Sequence, residues 1–321
     1  MKRKILITGI NGFAGPYLAD YLNSQGFEIW GLDINDPAEP AAENIIMGIA
    51  DICSQEQIET ILAECNPEAI YHLAAQSSVA VSWQKPVKTM QINLEGTINL
   101  LEAVKKLKLD TRILLVGSGE EYGTIKPEEL PITEEHETNP QNPYSLSKLF
   151  QTIMGMHYLQ TDRMQIYFTR AFNHTGPGQH QGFVIPDFAS QIARIEAGLQ
   201  KPVINVGNLS AQRDFCDVRD VVRAYHKIIE QGKPGRIYNV ASGKAVMIQD
   251  ILDQLIGLSD KPVQVKIDPQ KFRPVDVPVI YASTDRIKKE TGWQPKIGLQ
   301  DTIKDTLEFW RMQKKEIDHP E

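Results

Sequence analysis

Lys4-Ile5-Leu6-Ile7-Thr8-Gly9-Ile10-Asn11-Gly12-Phe13-Ala14-Gly15 is the stretch whose reading decides the fold. Ile5-Leu6-Ile7 is a short apolar run and, with its flanks, reads as the strand Lys4–Thr8. Glycines at 9, 12 and 15 follow at once, and a helical pattern runs from about Gly15 to Ser24. Such glycines permit a tight turn, close approach of backbone to a pyrophosphate, and close packing of helix on strand. The helix N-terminus adds N–H donors and a positive dipole end. Gly9, Asn11, Gly12, Phe13, Ala14 and Gly15 are therefore expected to cradle a dinucleotide. A chain with 22 glycines will match this spacing by chance somewhere. The location at the first strand-to-helix turn gives this match its weight.

Outward from the turn, short apolar runs alternate with longer helical patterns, which is the signature of βαβ units. Strands are expected at Glu28–Leu32, Ala69–Leu73, Arg112–Val116 and Gln165–Thr169. Helices are expected at about Ser54–Glu64, Lys88–Leu107 and Asn142–Leu159. The fold class is α/β, a doubly wound parallel (Rossmann) sheet. Past Arg170 the rhythm breaks at Gly176-Pro177-Gly178, Gly182 and Pro186, pointing to a smaller mixed α/β C-terminal lobe. The expected division gives 1–170 to dinucleotide binding, with 215–241 returning to that domain. The lobe takes 171–214 and 242–321, including Val263–Asp276 and Thr291-Gly292-Trp293-Gln294-Pro295.

Composition narrows the partners. The net charge is -7 and no long Lys/Arg cluster occurs, so neither nucleic acid nor an anionic membrane surface is an expected partner. Cys53, Cys65 and Cys216 are odd in number and widely spaced, arguing against a disulfide framework or zinc site and for a reducing, cytoplasmic setting. The basic start Met1-Lys2-Arg3-Lys4 precedes an apolar run too short for a secretory core. No stretch approaches the ~18 apolar residues of a membrane span. The histidines, His174 and His180 among them, show no HExxH-type spacing, so no metal is expected.

Asp33 ends the second strand, where a carboxylate accepts hydrogen bonds from the adenosine ribose hydroxyls and repels a 2′-phosphate. NAD(H) is thus favoured, with NADP(H) left open, since Asn35-Asp36-Pro37 equally allows Asp33 to be a turn residue. Asp51 and Ile52 are placed to reach adenine. Leu73, Ala74 and Ala75 close the Ala69–Leu73 strand with small residues against which a cofactor can lie.

Tyr144-Ser145-Leu146-Ser147-Lys148 puts a phenol and an ammonium at i and i+4, on one helical face. A phenol titrates near ~10, and a neighbouring cation is expected to lower it. The same Lys148 can bond the nicotinamide ribose. Ser118, in Val116-Gly117-Ser118-Gly119-Glu120-Glu121-Tyr122-Gly123, follows a strand whose carboxyl end faces the crevice, so its hydroxyl can bond a substrate oxygen. Glu120 reads equally as a base for a carbon-bound proton or as a loop carboxylate. A non-catalytic dinucleotide sensor is disfavoured by the complete Ser118, Tyr144 and Lys148 set.

With these residues together, the chain resembles the extended short-chain dehydrogenase/reductase family over essentially its whole length. The resemblance rests on GxxGxxG, Ser118, Tyr144/Lys148 and Arg170-Ala171-Phe172-Asn173. It implies a nucleotide-sugar substrate in the lobe, Phe172 bordering the cofactor, and Asn173 meeting the diphosphate. Gly207-Asn208-Leu209-Ser210-Ala211-Gln212-Arg213-Asp214, Asn173-His174-Thr175-Gly176-Pro177-Gly178-Gln179 with Gly182-Phe183-Val184, and Arg273-Pro274-Val275-Asp276-Val277-Pro278 resemble the branch acting on GDP-mannose derivatives. The resemblance places Val184, Val206, Arg213, Arg273 and Asp276 at the substrate, with Ile204 and Val206 beside the base. Arg213 and Arg273 suit a diphosphate clamp because guanidinium offers forked, permanently charged donors, although surface ion pairing is the usual fate of an arginine. A homodimer built on the Lys88 and Asn142 helices is implied as well.

Within that branch the resemblance implies reduction of the C4 ketone of GDP-4-keto-6-deoxy-D-mannose to GDP-D-rhamnose. The 4,6-dehydratases usually carry Thr-Ser-Glu or Thr-Asp-Glu where this chain has Ser118-Gly119-Glu120, and Gly119 offers no acid. Dehydration of GDP-mannose stays open through Glu120. A nucleotide-sugar 4-epimerase holding NAD through both half-reactions is the third possibility.

Overall fold

The computed structural model describes residues 2–36, 45–271 and 277–313. The opening stretch forms strand β1 (Lys4–Thr8) and helix α1 (Ala14–Ser24), followed by β2 (Glu28–Asp33), β3 (Ile45–Ile49), α2 (Gln55–Cys65) and β4 (Ala69–His72). Two short helices, α3 (Val79–Gln84) and α4 (Pro86–Met90), lead into α5 (Gly96–Lys106), β5 (Arg112–Ser118), α6 (Pro143–Thr161) and β6 (Gln165–Ala171). The helix expected over Lys88–Leu107 is thus interrupted by a π-helical turn at Gln91–Glu95. That turn buries Asn93, whose amide bonds both Gln76 N and Gln76 O, a demand that periodicity does not reveal. The strand β3 had no counterpart among the expected elements.

Beyond β6 come β7 (Asn173–Thr175), α7 (Val184–Ala197), β8 (Val203–Val206), β9 (Gln212–Asp217), α8 (Val218–Gln231) and β10 (Ile237–Val240). The chain then forms β11 (Ala245–Met247), α9 (Ile248–Gly257), β12 (Gln264–Ile267), β13 (Val279–Ile280), α10 (Asp285–Thr291) and α11 (Leu299–Met312). The large sheet runs β10-β6-β5-β4-β1-β2-β3, and every pairing in it is parallel. Because β1 and β4 are neighbours while the chain visits β2 and β3 between them, the strand order reverses there. In open α/β sheets that crevice is where ligands bind.

Both faces of the sheet are covered. Ile5, Ile7, Leu18, Leu22, Val221, Tyr225 and Tyr238 form the core toward α1 and α8. Leu6, Ile58, Leu62, Leu100, Leu115 and Phe168 form the opposite layer, against which Met154 and Met156 pack. The lobe has a mixed sheet around β9, which pairs in parallel with β7 and β13 and antiparallel with β11; β8 and β12 pair separately. Its core joins Phe188, Ile192, Ile204, Val206, Ile251, Leu255 and Trp310.

Two boundaries shift from expectation. Phe215-Cys216-Asp217 belongs to the lobe sheet through β9, so the return to the large sheet starts at Val218. Trp293, expected in the lobe, lies in the large sheet's core instead. Its indole N–H donates to Asp220 O at 3.0 Å, and that buried polar partner draws the Thr291–Pro295 stretch under α8.

Candidate active site

The glycine turn has the required tightness. Gly9 adopts φ +70°, and a Cβ there would lie 2.6 Å from Ala74 N, so Leu73 and Ala74 abut the turn through backbone. A Cβ on Gly15 would lie 2.1 Å from Ile10 O, which is how α1 comes so close to the turn. Gly12 would meet only Gly9 O, at 3.2 Å. α1 starts after Phe13 with no side-chain cap and no acidic residue in its first turn, so its positive end has no carboxylate partner there. Asp33 closes the pattern: its carboxylate accepts from Asn11 N at 3.0 Å and Ile34 N at 2.8 Å, at the carboxyl end of β2. A turn free of acids at the phosphate position and carrying a carboxylate at the ribose position fits a dinucleotide.

Asp51 accepts from Cys53 N at 2.9 Å, shaping the turn before α2. Ile52 is buried, with Gly96 packed closely beneath it, so its side chain serves the core. Ala75 lies half-buried at the same edge of the sheet. Phe13 stacks on His174 of β7 with ring centroids 6.0 Å apart, and Tyr17 of α1 donates to Pro177 O at 2.7 Å; these ties join the glycine turn and α1 to β7 and the segment after it.

Ser118, buried, is the last residue of β5. Its hydroxyl accepts from Glu120 N at 3.2 Å, which leaves its own proton to donate. Tyr144 opens α6, a helix capped by Asn142, whose Oδ1 accepts from Ser145 N at 2.8 Å. Burial pushes the Tyr144 phenol up to about 12; contact with Ser118 works the other way, and Glu120 and Glu121 add to the rise. The expectation that Lys148 lowers Tyr144 is therefore not met. The buried Lys148 ammonium instead donates to Val116 O at 2.8 Å and Gln151 Oε1 at 2.9 Å. Burial, partly offset by Glu121, brings Lys148 down to about 8. His72, at the end of β4, sits between Thr8 Oγ1 at 2.8 Å and Thr97 Oγ1 at 3.0 Å. Burial, with the charge of Lys148, drives it to about 3, so it stays neutral.

Glu120 Oε2 accepts from Asn142 Nδ2 at 3.2 Å, so its carboxylate faces the start of α6. Phe172 is buried and stacks on Tyr122 with centroids 6.3 Å apart. Its ring covers Gly119: a Cβ at 119 would lie 3.0 Å from Phe172 Cζ. Asn173 is exposed on β7 and donates to Asp214 O at 3.3 Å. Arg213, half-buried on β9, donates to Gln212 O and Val277 O at 2.8 and 2.6 Å. Val184 starts α7 and packs on the lobe core.

Val206 and Ile204 correct an expectation. Both side chains are fully buried in the lobe core, because β8 alternates and turns Asn205, not its apolar neighbours, outward. Neither side chain can lie against a base. Arg273 and Asp276 fall outside the described residues.

Three supports escaped sequence reasoning. Asn93 Nδ2 donates to Ser147 Oγ at 2.8 Å, and Ser147 in turn donates to Tyr144 O at 2.7 Å, bracing the first turns of α6. Gln151 and Thr152 share a face with Lys148, a signal present in their i+3 and i+4 spacing. Glu121 is wholly buried and pairs with Arg170.

A family model described as GDP-mannose 4,6 dehydratase matches residues 6–306. GDP-6-deoxy-D-mannose reductase of Pseudomonas aeruginosa is 33% identical over 316 residues, covering 98% of this chain and 100% of that protein. GDP-mannose 4,6-dehydratase of Vibrio cholerae is 29% identical over 351 residues, covering 95% and 93% respectively. The solved structure of RMD from Pseudomonas aeruginosa complexed with NADPH is similar at a TM-score of 0.86 and 31% identity, over 97% of this chain and 100% of that one.

Proposed function

This chain belongs to the GDP-mannose 4,6 dehydratase family, with the extended short-chain dehydrogenase/reductase fold, and from that premise we propose that it reduces the C4 ketone of GDP-4-keto-6-deoxy-D-mannose to GDP-D-rhamnose. The observation that carries this reading is Gly119. At the position where the dehydratases carry Ser or Asp, the chain has no side chain, and Phe172 covers the space one would use. The full-length similarity to a GDP-6-deoxy-D-mannose reductase supports the same reading.

Gly9, Asn11, Gly12, Phe13, Ala14 and Gly15 hold the pyrophosphate, Asp33 the adenosine ribose, and Asp51, Ile52, Leu73, Ala74, Ala75 and Phe172 the walls around the cofactor. The reduced nicotinamide, when bound, supplies the hydride. Ser118 donates its hydroxyl proton as a hydrogen bond to the C4 carbonyl oxygen, polarising it. Tyr144 is protonated at neutral pH and delivers the proton that the developing alkoxide takes. Lys148, on the Tyr144 face of α6, would hold the nicotinamide ribose. Asn173, Val184, Arg213, Arg273 and Asp276 take the GDP end, with Arg213 and Arg273 on the diphosphate. Val206 contributes through the lobe core behind them. The exposed Trp83, Val87, Phe150 and Ile153, on α3, α4 and α6, support a homodimer built on that face.

The deciding experiment offers the protein GDP-mannose and its 4-keto-6-deoxy derivative separately, each with NADH or NADPH. Oxidation of reduced cofactor with the keto sugar alone is expected. Conversion of GDP-mannose with no net cofactor consumption would replace this reading with the dehydratase one, for which the Glu120 carboxylate beside α6 is the specific support.

Cofactor choice gives a second expectation. A 2′-phosphate beside Asp33 brings two like charges together, so NADH should outperform NADPH in kcat/KM. Asp33→Ser should narrow that ratio by roughly tenfold, the equivalent of about 1.4 kcal/mol. An unchanged ratio in steady-state assays would remove Asp33 from the discrimination.

A further inference from the structure

Glu121 has no part in the chemistry just described, yet it is the most enclosed carboxylate beside the reacting groups. It is wholly buried, in the one-turn 3-10 helix Gly119–Tyr122 that follows β5. Its Oε1 accepts from Ser118 N at 2.8 Å. Its Oε2 accepts from Arg170 Nε at 2.9 Å and from Thr152 Oγ1 at 3.3 Å. Gly117 makes the room: a Cβ there would lie 2.4 Å from Glu121 Oε1 and 2.5 Å from Thr169 O. Arg170 is Gly117's register partner on β6 and Asn239's on β10, and its guanidinium lies 4.4 Å from the centre of the Tyr122 ring. Tyr122 in turn donates to Asn239 Oδ1 at 2.8 Å.

Those contacts have a common geometry. Ser118 ends β5, Arg170 lies on β6, and Thr152 stands one helical turn past Lys148 on α6, bonded to the Lys148 carbonyl at 3.2 Å. One carboxylate therefore links the strand that presents Ser118 to the helix that presents Tyr144 and Lys148. We propose that Glu121 is a positioning residue for the reaction: its buried carboxylate, paired with Arg170, fixes the backbone of Ser118 and, through Thr152, sets the distance from Ser118 to the Tyr144/Lys148 face of α6. A helix-capping glutamate on a surface could be replaced by water; this one is enclosed by protein donors, and removing it leaves Ser118 N and Arg170 without their acceptor.

The charge has a second consequence. The groups facing Glu121 are Arg170 on β6, Tyr122 and Glu120 in its own turn, and Tyr144, Lys148 and Thr152 on α6. Its negative charge favours the protonated forms of both Tyr144 and Lys148. Neutralising it acts on both in one direction, toward earlier loss of the proton as pH rises. A carboxylate with a merely structural role would lower activity at every pH and leave the apparent pKa values in place.

Glu121→Gln keeps the shape and an acceptor for Ser118 N while removing the charge. It is expected to lower kcat and to move the alkaline limb of the kcat–pH profile down by about half a unit or more. The kinetic arm rests on the carbonyl-reduction reading, whereas NADH binding, followed by nicotinamide fluorescence across pH, uses no sugar. There the pH at which affinity falls should move down too, because Lys148 loses the same neighbouring charge. If the unaltered protein fails to reduce the keto sugar, the functional reading falls and the binding arm still tests Glu121. Unmoved limbs in both measurements overturn the proposal. Should Glu121→Gln not fold, Thr152→Val removes the tie between Glu121 and α6, together with the bond that the same hydroxyl shares with Lys148 O. It should cut kcat about fivefold, the worth of one hydrogen bond, with KM for NADH little changed; wild-type kcat in that variant overturns the proposal as well.

Discussion

Tyr144→Phe will lower kcat for keto-sugar reduction roughly a thousandfold while leaving NADH binding nearly intact, a loss within the usual range for removing a general acid. The scaffold around the phenol explains why the effect should be confined to kcat. α6 is held by the Asn142 cap, by Ser147 bonded to Tyr144 O, and by Lys148 on Val116 O. None of these uses the phenolic oxygen. A phenol pushed up to about 12 keeps its proton at neutral pH, and phenylalanine fills the same space without a proton to give. Stopped-flow reduction and fluorescence titration with NADH separate the two quantities. Turnover within tenfold of the unaltered protein would take the proton-donor role away from Tyr144.

The second large effect is on stability. Arg170→Met removes the counter-charge from Glu121 and leaves a carboxylate enclosed with only Ser118 N and Thr152 Oγ1 as donors. Breaking a buried pair from one side costs about 3–5 kcal/mol. The sign of its pH dependence follows from burial, which already raises the Glu121 carboxyl above its ordinary value with Arg170 in place. Without Arg170 it rises further, so the penalty is full well above that raised value and shrinks as pH falls and the carboxyl takes a proton. Urea denaturation at pH 7.5 and pH 5 reads this directly: the loss should be smaller at pH 5. An equal loss at both would mean that lost packing, not an orphaned charge, is responsible.

Legibility in the sequence followed the range of the interactions involved. The strand β1 matched its expected span, and the glycine turn and the Tyr144/Lys148 spacing are patterns carried by residues close together in the sequence. The strand β3 could not. Ile45–Ile49 follows a proline-bearing stretch and, as an edge strand with no fully buried residue, lacks the alternation that marks a half-buried strand. Glu121 was equally hidden, since its partner Arg170 is 49 residues away and nothing local marks a glutamate as buried. Ile204 and Val206 teach the opposite lesson. Their alternation with Asn205 is written in the sequence and turns both side chains to the core, whatever the family resemblance implies. Trp293 was misplaced because its indole partner, Asp220, lies 73 residues upstream.

The pairing of β10 with β6 also bears on how the polypeptide is made. Residues 165–171 leave the ribosome long before 237–240, so β6 is a bare sheet edge while the first part of the lobe and α8 are synthesised. Bare edges invite pairing with other chains. The wedge that seals the layer below, Trp293, arrives later still. A nascent chain halted anywhere before the last quarter of its synthesis carries an unfinished sheet. Chaperone dependence and aggregation should accordingly concentrate in translation intermediates and in truncated transcripts, rather than in the completed enzyme.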